Sequence, residues 1–211
     1  MKYRYWLLIF VLFITSCNYK KDQKEQPEYN ASHYYNAGVL CDYNGDHKEA
    51  LNNYNKAIAL DSTISNYYLN RGATIQQVYN DMDKALEDYR KAIQLDAHNA
   101  IAYYNIGCVL SDQGNDQDAS EFYRICIAID PLYYPAYYNC AHSQYGIKDY
   151  EEALKNFEKA IQYDDRLKFY AYYYMGMIYK ETGKPDKAKS YFEKAKALGN
   201  KNAEDELNGN K

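Results

Sequence analysis

The side chains that most often carry catalysis or bind metal ions are few and widely spaced in this sequence. His33, His47, His98 and His142 are its four histidines, and no two of them have the spacing of a metal-binding pair on one helix or loop. None stands in a recognisable nucleophile motif, and no glycine-rich phosphate-binding loop occurs. The sequence therefore predicts a protein that is not an enzyme, with no catalytic residues, no metal site and no cofactor.

Tyrosine and asparagine are the polar side chains that recur in a pattern. The chain has 28 tyrosines. A segment of paired tyrosines that ends in a small residue occurs five times, with steps of 34 or 35 between the small residues Gly38, Gly72, Gly107, Ala141 and Gly176. Tyrosine offers apolar area and a hydroxyl, and the asparagine amide offers two N–H donors and an oxygen acceptor. Together they suit the backbone of an extended peptide.

A second repeated feature follows the first by about twelve residues. It is an alanine followed by an aromatic residue four positions later and, except where cysteine replaces it once, by another alanine seven positions later. The first alanines are Ala50, Ala85, Ala119, Ala153 and Ala188, again 34 or 35 residues apart. Spacings of four and seven place side chains on one helical face, and turns rich in helix-breaking residues separate the two features. Each repeat is therefore predicted to be a helical hairpin.

A period of 34 residues with an aromatic residue at position 4, Gly or Ala at 8, Ala at 20, an aromatic residue at 24 and Ala at 27 resembles the tetratricopeptide repeat. The resemblance implies an all-α fold, a right-handed superhelical solenoid of five helical hairpins. The predicted repeats cover residues 31–64, 65–99, 100–133, 134–168 and 169–202. Repeats two and four each have one extra residue, near 79–82 and near 164–168. Residues 203–211 are predicted to include a partial capping helix, because Ala203 and Leu207 could cover the last hydrophobic face.

The first 16 residues differ from the rest of the chain, since Lys2 and Arg4 precede an apolar run over residues 6–14. This pattern predicts a secretory signal peptide, because the run falls far short of the roughly 20 apolar residues that span a bilayer. Residues 14–17, Ile-Thr-Ser-Cys, resemble the bacterial lipobox. The resemblance implies that Cys17 becomes the lipid-modified N-terminus of a membrane-anchored lipoprotein, which several acyl chains together hold firmly.

The segment between the lipobox and the repeats is polar. Residues 17–30 are predicted to form a lipidated flexible tether that spans roughly 20 Å as a coil. Loss of Lys2 and Arg4 with the leader takes the formal net charge from −4 to −6, and an acidic body argues against a nucleic-acid partner. Asn18 is not the aspartate that commonly retains such proteins on the inner membrane, so we expect the outer membrane of a cell envelope.

Cys41, Cys108, Cys126 and Cys140 lie within the repeats. They form an even number in a chain that is predicted to enter an oxidising compartment, so disulfides have to be considered. Cys126 and Cys140 would lie in adjacent packed helices, yet each occupies a position that suits a small core side chain. We expect free buried thiols, and a disulfide between these two residues stays open as the alternative.

In proteins with this repeat, the first helix of each hairpin lines the concave surface, chiefly through positions 2, 5, 6, 9, 12 and 13. Positions 5 and 6 predict a partner-binding groove lined by Tyr35, Asn36, Leu69, Asn70, Tyr104, Asn105, Tyr138, Asn139, Tyr173 and Tyr174. The alternative is that these asparagines bond neighbouring helices and need no ligand. Lys180 is the one Lys or Arg at the six positions, whereas Asp42, Asp112 and Glu181 are acidic. Clamping of a partner's terminal carboxylate is therefore disfavoured.

These features predict a protein–protein interaction scaffold, anchored to a cell-envelope membrane, that binds a peptide segment or an assembly subunit in its groove. The alternative is a carbohydrate-binding surface lipoprotein in which sugars stack on tyrosine rings. The predicted loops are too short for the large insertions that helical-repeat glycan-capture proteins carry. The sequence therefore favours a peptide or protein partner over a sugar.

Overall fold

The computed structural model describes residues 29–209, which form eleven α-helices and one short 3₁₀ helix without any strand. The helices are α1 (Ala31–Tyr43), α2 (His47–Leu60), α3 (Ser65–Tyr79), α4 (Met82–Leu95), α5 (Ala100–Asp112), α6 (Asp116–Ile129), α7 (Pro135–Gly146), α8 (Tyr150–Tyr163), α9 (Lys168–Glu181), α10 (Pro185–Ala197) and α11 (Lys201–Asn208). The predicted signal peptide 1–16, Cys17 and all but the last two residues of the predicted tether 17–30 lie outside the described residues. Between residues 29 and 209, no helix combines the length and the apolar character that a membrane span requires.

The helices pair as five successive hairpins, from α1 with α2 to α9 with α10. Within each hairpin the two helices form the most extensive contact, and the second helix then packs against the first helix of the next hairpin. The first helices of neighbouring hairpins also touch each other. This is the packing of a helical-hairpin solenoid, so the predicted all-α class and its repeating hairpins are confirmed.

The core repeats with the sequence. The alanines at position 20 are at most 5% exposed, and the aromatic residues at position 24 are at most 4% exposed. A Cβ atom added to Gly107 would lie 2.7 Å from a ring carbon of Tyr123, and one added to Gly38 would lie 2.6 Å from the ring of Tyr54. These distances are shorter than packed carbon atoms allow. The small residue at position 8 therefore lets the two helices of a hairpin approach closely.

The turn inside each of four hairpins contains a residue with positive φ at the same repeat position. Gly45, Gly114 and Gly183 have φ values of 81°, 76° and 70°. In repeat four the position is taken by Lys148, with φ of 64°, a conformation that costs a residue with a Cβ about 1–2 kcal/mol. Side-chain oxygens cap the helices that follow several turns, at Asn30, Asp46, Asp81, Asn99, Asn115 and Asn200.

The extra residues of repeats two and four are accommodated at helix ends. Helix α3 extends to Tyr79 and is followed by Asn80, which adopts the left-handed conformation with φ of 52°. Between α8 and α9 the chain forms the 3₁₀ turn Asp165–Leu167. Because both irregularities lie between packed helices, the stacking of the hairpins continues through them.

The two ends of the solenoid differ. Helix α11 packs against α10, with Ala203 fully buried and Leu207 placed against the cluster around Phe192. The helix begins two residues before the segment 203–211 in which a partial cap is predicted. At the other end, the described residues place no helix before α1, and Leu40 and Tyr43 are 60% and 88% exposed.

The four cysteines of the repeats are free thiols in this structure. Cys126 and Cys140 have no exposed surface; Cys126 packs beside Ala136, and Cys140 packs beside Tyr123. Both therefore fill small core positions. Burial raises the pKa of each thiol to about 12, so both stay protonated and weakly nucleophilic near neutral pH.

Candidate partner-binding groove

The ten residues predicted to line a groove all lie on the first helices of the hairpins. Nine of them are exposed or half-buried. Leu69 is the exception, because it is 6% exposed and packs in the core with Leu86 and Tyr89. Leu69 is predicted to face the groove, but its aliphatic side chain packs in the core instead. Little of its surface is therefore left for a partner.

Two of the predicted asparagines connect neighbouring hairpins. Asn70 donates a hydrogen bond of 3.0 Å to the hydroxyl of Tyr35, and Asn139 donates one of 3.0 Å to the hydroxyl of Tyr104. Asn139 also lies 3.7 Å from the sulfur of Cys108. The structure therefore supports the alternative interpretation for both residues, that asparagine bonds the adjacent hairpin. Their amide oxygens accept no hydrogen bond from the described residues and stay open to a partner.

The groove of the first two hairpins has a polar floor that sequence reasoning missed. The Tyr54 hydroxyl, which comes from the second helix of the hairpin, donates to Asp42 Oδ2 at 2.8 Å. The Thr74 hydroxyl of the next hairpin donates to the same oxygen at 2.6 Å, and His47 Nδ1 lies 3.0 Å from Asp42 Oδ1. Asp42 is thus engaged by three neighbours. The signal was the recurrence of tyrosine at position 24, whose buried ring needs a partner for its hydroxyl.

An open cleft runs along the seam between α5 and α7. One part, of about 520 Å³, is bounded by these helices and by the segment 163–167. A second part, of about 300 Å³, is lined by Cys108, Asp112 and His142 among others. Tyr138 and Asn139 line both parts, so the two cavities adjoin along α7. We name this feature the α5–α7 cleft.

The aromatic rings of the α5–α7 cleft are held by other rings. The Tyr104 ring centroid lies 5.0 Å from that of Tyr133 in an edge contact, and the Tyr138 centroid lies 5.7 Å from that of Phe157. At the rim, Tyr134 stacks on Tyr163 at 3.8 Å. These contacts fix the rings before a partner arrives, which lowers the entropic cost of binding. The stack of Tyr134 on Tyr163 also covers one face of each of these two rings.

The tyrosine hydroxyls of the cleft are neutral donors over the physiological pH range. Burial is the main cause that raises the pKa of Tyr104, and the hydrogen bond from Asn139 opposes it. Burial likewise raises the pKa of Tyr138, with a further contribution from Tyr174. A hydroxyl that keeps its proton can donate to a carbonyl oxygen, and peptide backbones supply such acceptors.

Two cations near the groove are already paired. Lys180 forms an ion pair with Glu206 of α11, and Arg166 lies 2.8 Å from Asp164. Both cations are therefore occupied by carboxylates of the chain itself. Asp112 is exposed on the wall of the α5–α7 cleft, so the cleft favours neutral or basic segments.

Helices α7 and α9 are joined through polar groups that continue the groove toward its C-terminal end. His142 Nε2 and the Tyr174 hydroxyl share a hydrogen bond of 3.0 Å. Glu181 accepts hydrogen bonds from Tyr145, at 2.7 Å, and from Tyr150. A cavity of about 410 Å³ beside α9 is lined in part by the predicted residues Tyr173 and Tyr174. In the part of the chain that the structure describes, no group of His, Cys, Asp or Glu side chains could hold a metal ion.

Family models match most of the repeats. A tetratricopeptide repeat model matches residues 31–64 and 100–131, and a second model, described as a TPR repeat, matches residues 80–114. The model described as regulator of microtubule dynamics protein 1-3 matches residues 147–210. The first two models therefore support the tetratricopeptide repeat type that the 34-residue period predicts for the segments they match.

Solved structures with the same fold cover about four-fifths of the chain. The chain in the crystal structure of MamA shares 27% sequence identity with this chain and superposes with a TM-score of 0.68. The match covers 79% of this chain and 96% of the MamA chain. YrrB, whose structure is described as a TPR protein with an unusual peptide-binding site, is 22% identical with a TM-score of 0.71, over 81% and 87% of the two chains. Pseudomonas aeruginosa pilF is 21% identical with a TM-score of 0.66, over 80% and 76%.

One curated relative also resembles part of the chain. Anaphase-promoting complex subunit 3 of Schizosaccharomyces pombe is 32% identical over 77 residues, which make up 36% of this chain and 11% of that protein. This chain therefore spans about a tenth of the curated relative that it matches. Together with the structures, these likenesses show a tetratricopeptide-type helical solenoid.

Proposed function

We propose that this helical-repeat chain is a membrane-anchored interaction scaffold that binds an extended, neutral or basic peptide segment in the α5–α7 cleft. The observation that carries the proposal is the cleft itself. It is open and has fixed tyrosine rings, and Asn139, which lines both of its parts, has an amide oxygen that accepts no hydrogen bond from the described residues. An extended segment can donate its backbone N–H groups to that oxygen and accept from the tyrosine hydroxyls.

Similarity to other repeat proteins supports binding as the class of action. Tetratricopeptide-type scaffolds bind protein or peptide partners, and YrrB carries a peptide-binding site according to its description. Fold alone does not select a partner, so the chemistry of the cleft has to do so. Paired cations and the exposed Asp112 favour a segment without a free carboxylate at the contact.

The membrane anchor is the second part of the proposal. It rests on the leader and on the lipobox-like residues that end at Cys17. Growth with a clickable palmitate analogue should label the parent protein and leave Cys17→Ser unlabelled. Separation of inner and outer membranes on a density gradient should then place the labelled protein in the outer-membrane fraction. Equal labelling of both variants would reject acylation at Cys17.

A sugar ligand has weaker support from the same geometry. Carbohydrate stacking needs an open ring face, whereas Tyr104 and Tyr138 pack against neighbouring rings and Tyr134 stacks on Tyr163. Calorimetric titration with a panel of oligosaccharides should therefore give no binding heat. Saturable heat that disappears in Tyr134→Ala would move the proposal from peptides to glycans.

Site-specific cross-linking tests the cleft directly. A photoreactive phenylalanine analogue at Asp112, inside the cleft, should capture a partner segment in native membranes, and mass spectrometry would identify the cross-linked peptide. The same analogue at Tyr79, which is 55% exposed at the end of α3, is the matched control and should capture nothing specific.

The identified segment then allows binding to be measured. Tyr104→Ala combined with Tyr138→Ala should weaken it by about thirtyfold, the loss of a typical tyrosine hot spot of roughly 2 kcal/mol. Tyr79→Ala should bind like the parent. Unchanged affinity in a double variant with a native circular-dichroism spectrum would exclude the cleft as the binding site.

A further inference from the structure

Charge is distributed unevenly along the solenoid. Residues 31–167 contain 11 Lys and Arg against 20 Asp and Glu, whereas residues 168–197, which hold α9 and α10, contain seven lysines against three acidic residues. The first four hairpins are therefore strongly acidic, and the fifth is basic. A local excess of one sign marks a surface that attracts a partner of the other sign.

The lysines of the fifth hairpin lie over tyrosine rings. Lys194 Nζ is 4.5 Å from the centroid of Tyr191 and 5.7 Å from that of Tyr172. Lys187 and Lys184 place their Nζ atoms 5.2 Å and 5.9 Å from the centroid of Tyr179. The three rings also contact one another, since Tyr191 lies 5.4 Å from Tyr179 and 6.0 Å from Tyr172. We call this group of three lysines and three tyrosines the Lys/Tyr face.

The charges of the Lys/Tyr face are not neutralised within the described residues. Lys180 and Lys196 of the same hairpin form ion pairs with Glu206 and Glu204. Lys184, Lys187 and Lys194 form no ion pair with any carboxylate between residues 29 and 209, and all three are exposed. None of the six residues of the Lys/Tyr face lines the α5–α7 cleft. The face is therefore separate from the proposed peptide site.

We propose that the Lys/Tyr face binds the anionic headgroups of the membrane in which the lipid anchor sits. The inference rests on the proposed anchor at Cys17. Exposed lysines attract anionic lipid headgroups, and the attraction falls off within a Debye length of about 8 Å at physiological salt. Tyrosine rings favour the headgroup region, where an apolar body meets a polar tip. The ammonium groups of these lysines lie over the rings on exposed side chains, where lipid phosphates can reach them.

The rest of the molecule makes this orientation selective. The acidic hairpins one to four are repelled by anionic headgroups, so the basic hairpin is the region that such a surface attracts. The predicted tether joins the anchor to α1, at the opposite end of the solenoid. Contact through the fifth hairpin would therefore add a second point of attachment at the end of the solenoid that lies far from the tether.

Amine footprinting on vesicles tests this surface with the whole lipidated protein. The protein is reconstituted into phosphatidylcholine vesicles and into phosphatidylcholine–phosphatidylglycerol vesicles, and its lysines are labelled with a membrane-impermeant amine reagent. Labelling of Lys184, Lys187 and Lys194 should fall on the order of fivefold on the anionic vesicles, as expected for several lysines at an anionic surface. Lys56, which lies 5.4 Å above the ring of Tyr34, is the matched internal control and should label equally on both.

The controls separate this inference from its alternatives. Protection of the Lys/Tyr face should disappear at about 1 M salt, where the Debye length is about 3 Å. Equal labelling on both vesicle types would overturn the proposal. Protection that is also present in detergent, or that grows with protein density, would assign the face to a second copy of the chain and would likewise overturn it. Failure of the anchor has a distinct result, because the protein would then not float with either type of vesicle.

Discussion

The boundary between hairpins one and two and the boundary between hairpins three and four have the same repeat pattern but differ in their polar contacts. Hydrogen bonds close the first boundary, which we call the joined seam. A cleft remains at the second, which we call the open seam. At the joined seam, Asp42 reaches across to Thr74 of the next hairpin at 2.6 Å. At the corresponding place in hairpins three and four the residues are Ser111 and Ser143. The side chain of Ser111 is shorter than that of Asp42, and its hydroxyl lies 3.5 Å from Asp116 Oδ1 of its own hairpin. The buried Ser143 hydroxyl has no hydrogen-bond partner among the described residues.

This difference shows how one repeat can either join hairpins or leave a binding site between them. An aspartate at position 12 spans the gap and occupies the groove with its own hydrogen bonds. A serine cannot reach as far, so the α5–α7 cleft stays open and a buried hydroxyl is left unsatisfied. An unsatisfied buried group lowers stability, and such costs are common at functional sites.

Removal of the two equivalent hydroxyls should have unequal effects. Thr74→Val deletes a hydrogen bond to a carboxylate and should lower the free energy of unfolding by about 1.5–3 kcal/mol. Ser143→Ala deletes a buried hydroxyl that has no partner among the described residues and should raise the free energy of unfolding by about 1–3 kcal/mol. Urea unfolding followed by circular dichroism measures both. Equal losses would show that Ser143 is hydrogen-bonded in solution and would remove this contrast between the two seams.

The buried tyrosines at position 24 should rank by the charge of their acceptors. Tyr54 donates to the Asp42 carboxylate, whereas Tyr89 donates to the neutral amide oxygen of Gln76 at 2.7 Å. Tyr54→Phe should therefore cost about 1.5–2 kcal/mol and Tyr89→Phe about 1 kcal/mol. Denaturant midpoints at constant slope give the two values. The reverse order would mean that Asp42 is held mainly by Thr74 and His47.

Conversion of the open seam into the joined one should trade binding for stability. Ser111→Asp, made together with Asp116→His so that the new carboxylate faces an imidazole as Asp42 faces His47, can accept from Ser143 as Asp42 accepts from Thr74. This double variant should raise the free energy of unfolding by about 1 kcal/mol. The added side chain would fill part of the α5–α7 cleft and weaken the cross-linked segment's affinity. Gln113→Asp, at an exposed helix end, is the control for an added carboxylate and should leave affinity unchanged. A more stable double variant that binds normally would place the peptide elsewhere.

The turn of repeat four offers a smaller gain that should not depend on the groove. Lys148 has φ of 64° where three other repeats have glycine. Lys148→Gly should raise stability by up to about 1 kcal/mol, because relief of the left-handed strain exceeds the added entropy of glycine in the unfolded chain. Gly114→Ala in the equivalent turn should lower stability by a similar amount. Thermal unfolding of both variants checks the pair, and peptide affinity should stay at the parent value in each.

A weak pH dependence is expected at the C-terminal end of the groove. Hydrogen bonds from Tyr150 and Tyr145 lower the pKa of Glu181. A carboxyl group with a depressed folded-state pKa contributes stability above its unfolded pKa, and this contribution is lost as pH falls through the folded value. Between neutral and acidic pH, Glu181→Gln should therefore lose less stability than the parent. Parallel curves for the two proteins would show that these tyrosine contacts are too exposed to matter.

Much of the fold could be predicted because the repeat is periodic. The small residue at position 8 and the alanine and aromatic residues at positions 20 and 24 each occur five times. The same buried hairpin contact is therefore specified five times within one chain. The groove was less predictable, since repeat position specifies a helix face but not how deep a side chain lies on it. Leu69 has the expected position and is buried, whereas Tyr104 has the same position and borders the cleft.

The amino-acid sequence by itself determined the hairpins, their number and the faces that pack, because helical spacing and small residues act within one repeat and its neighbour. Only the tertiary structure decided which polar groups satisfy one another across the hairpins. Asn139 meets Tyr104, and Asp42 meets Thr74, across 35 and 32 residues of chain. Whether such a pair forms depends on side-chain length and on the distance between packed helices. The joined and open seams therefore became distinguishable only when the helices were placed beside each other.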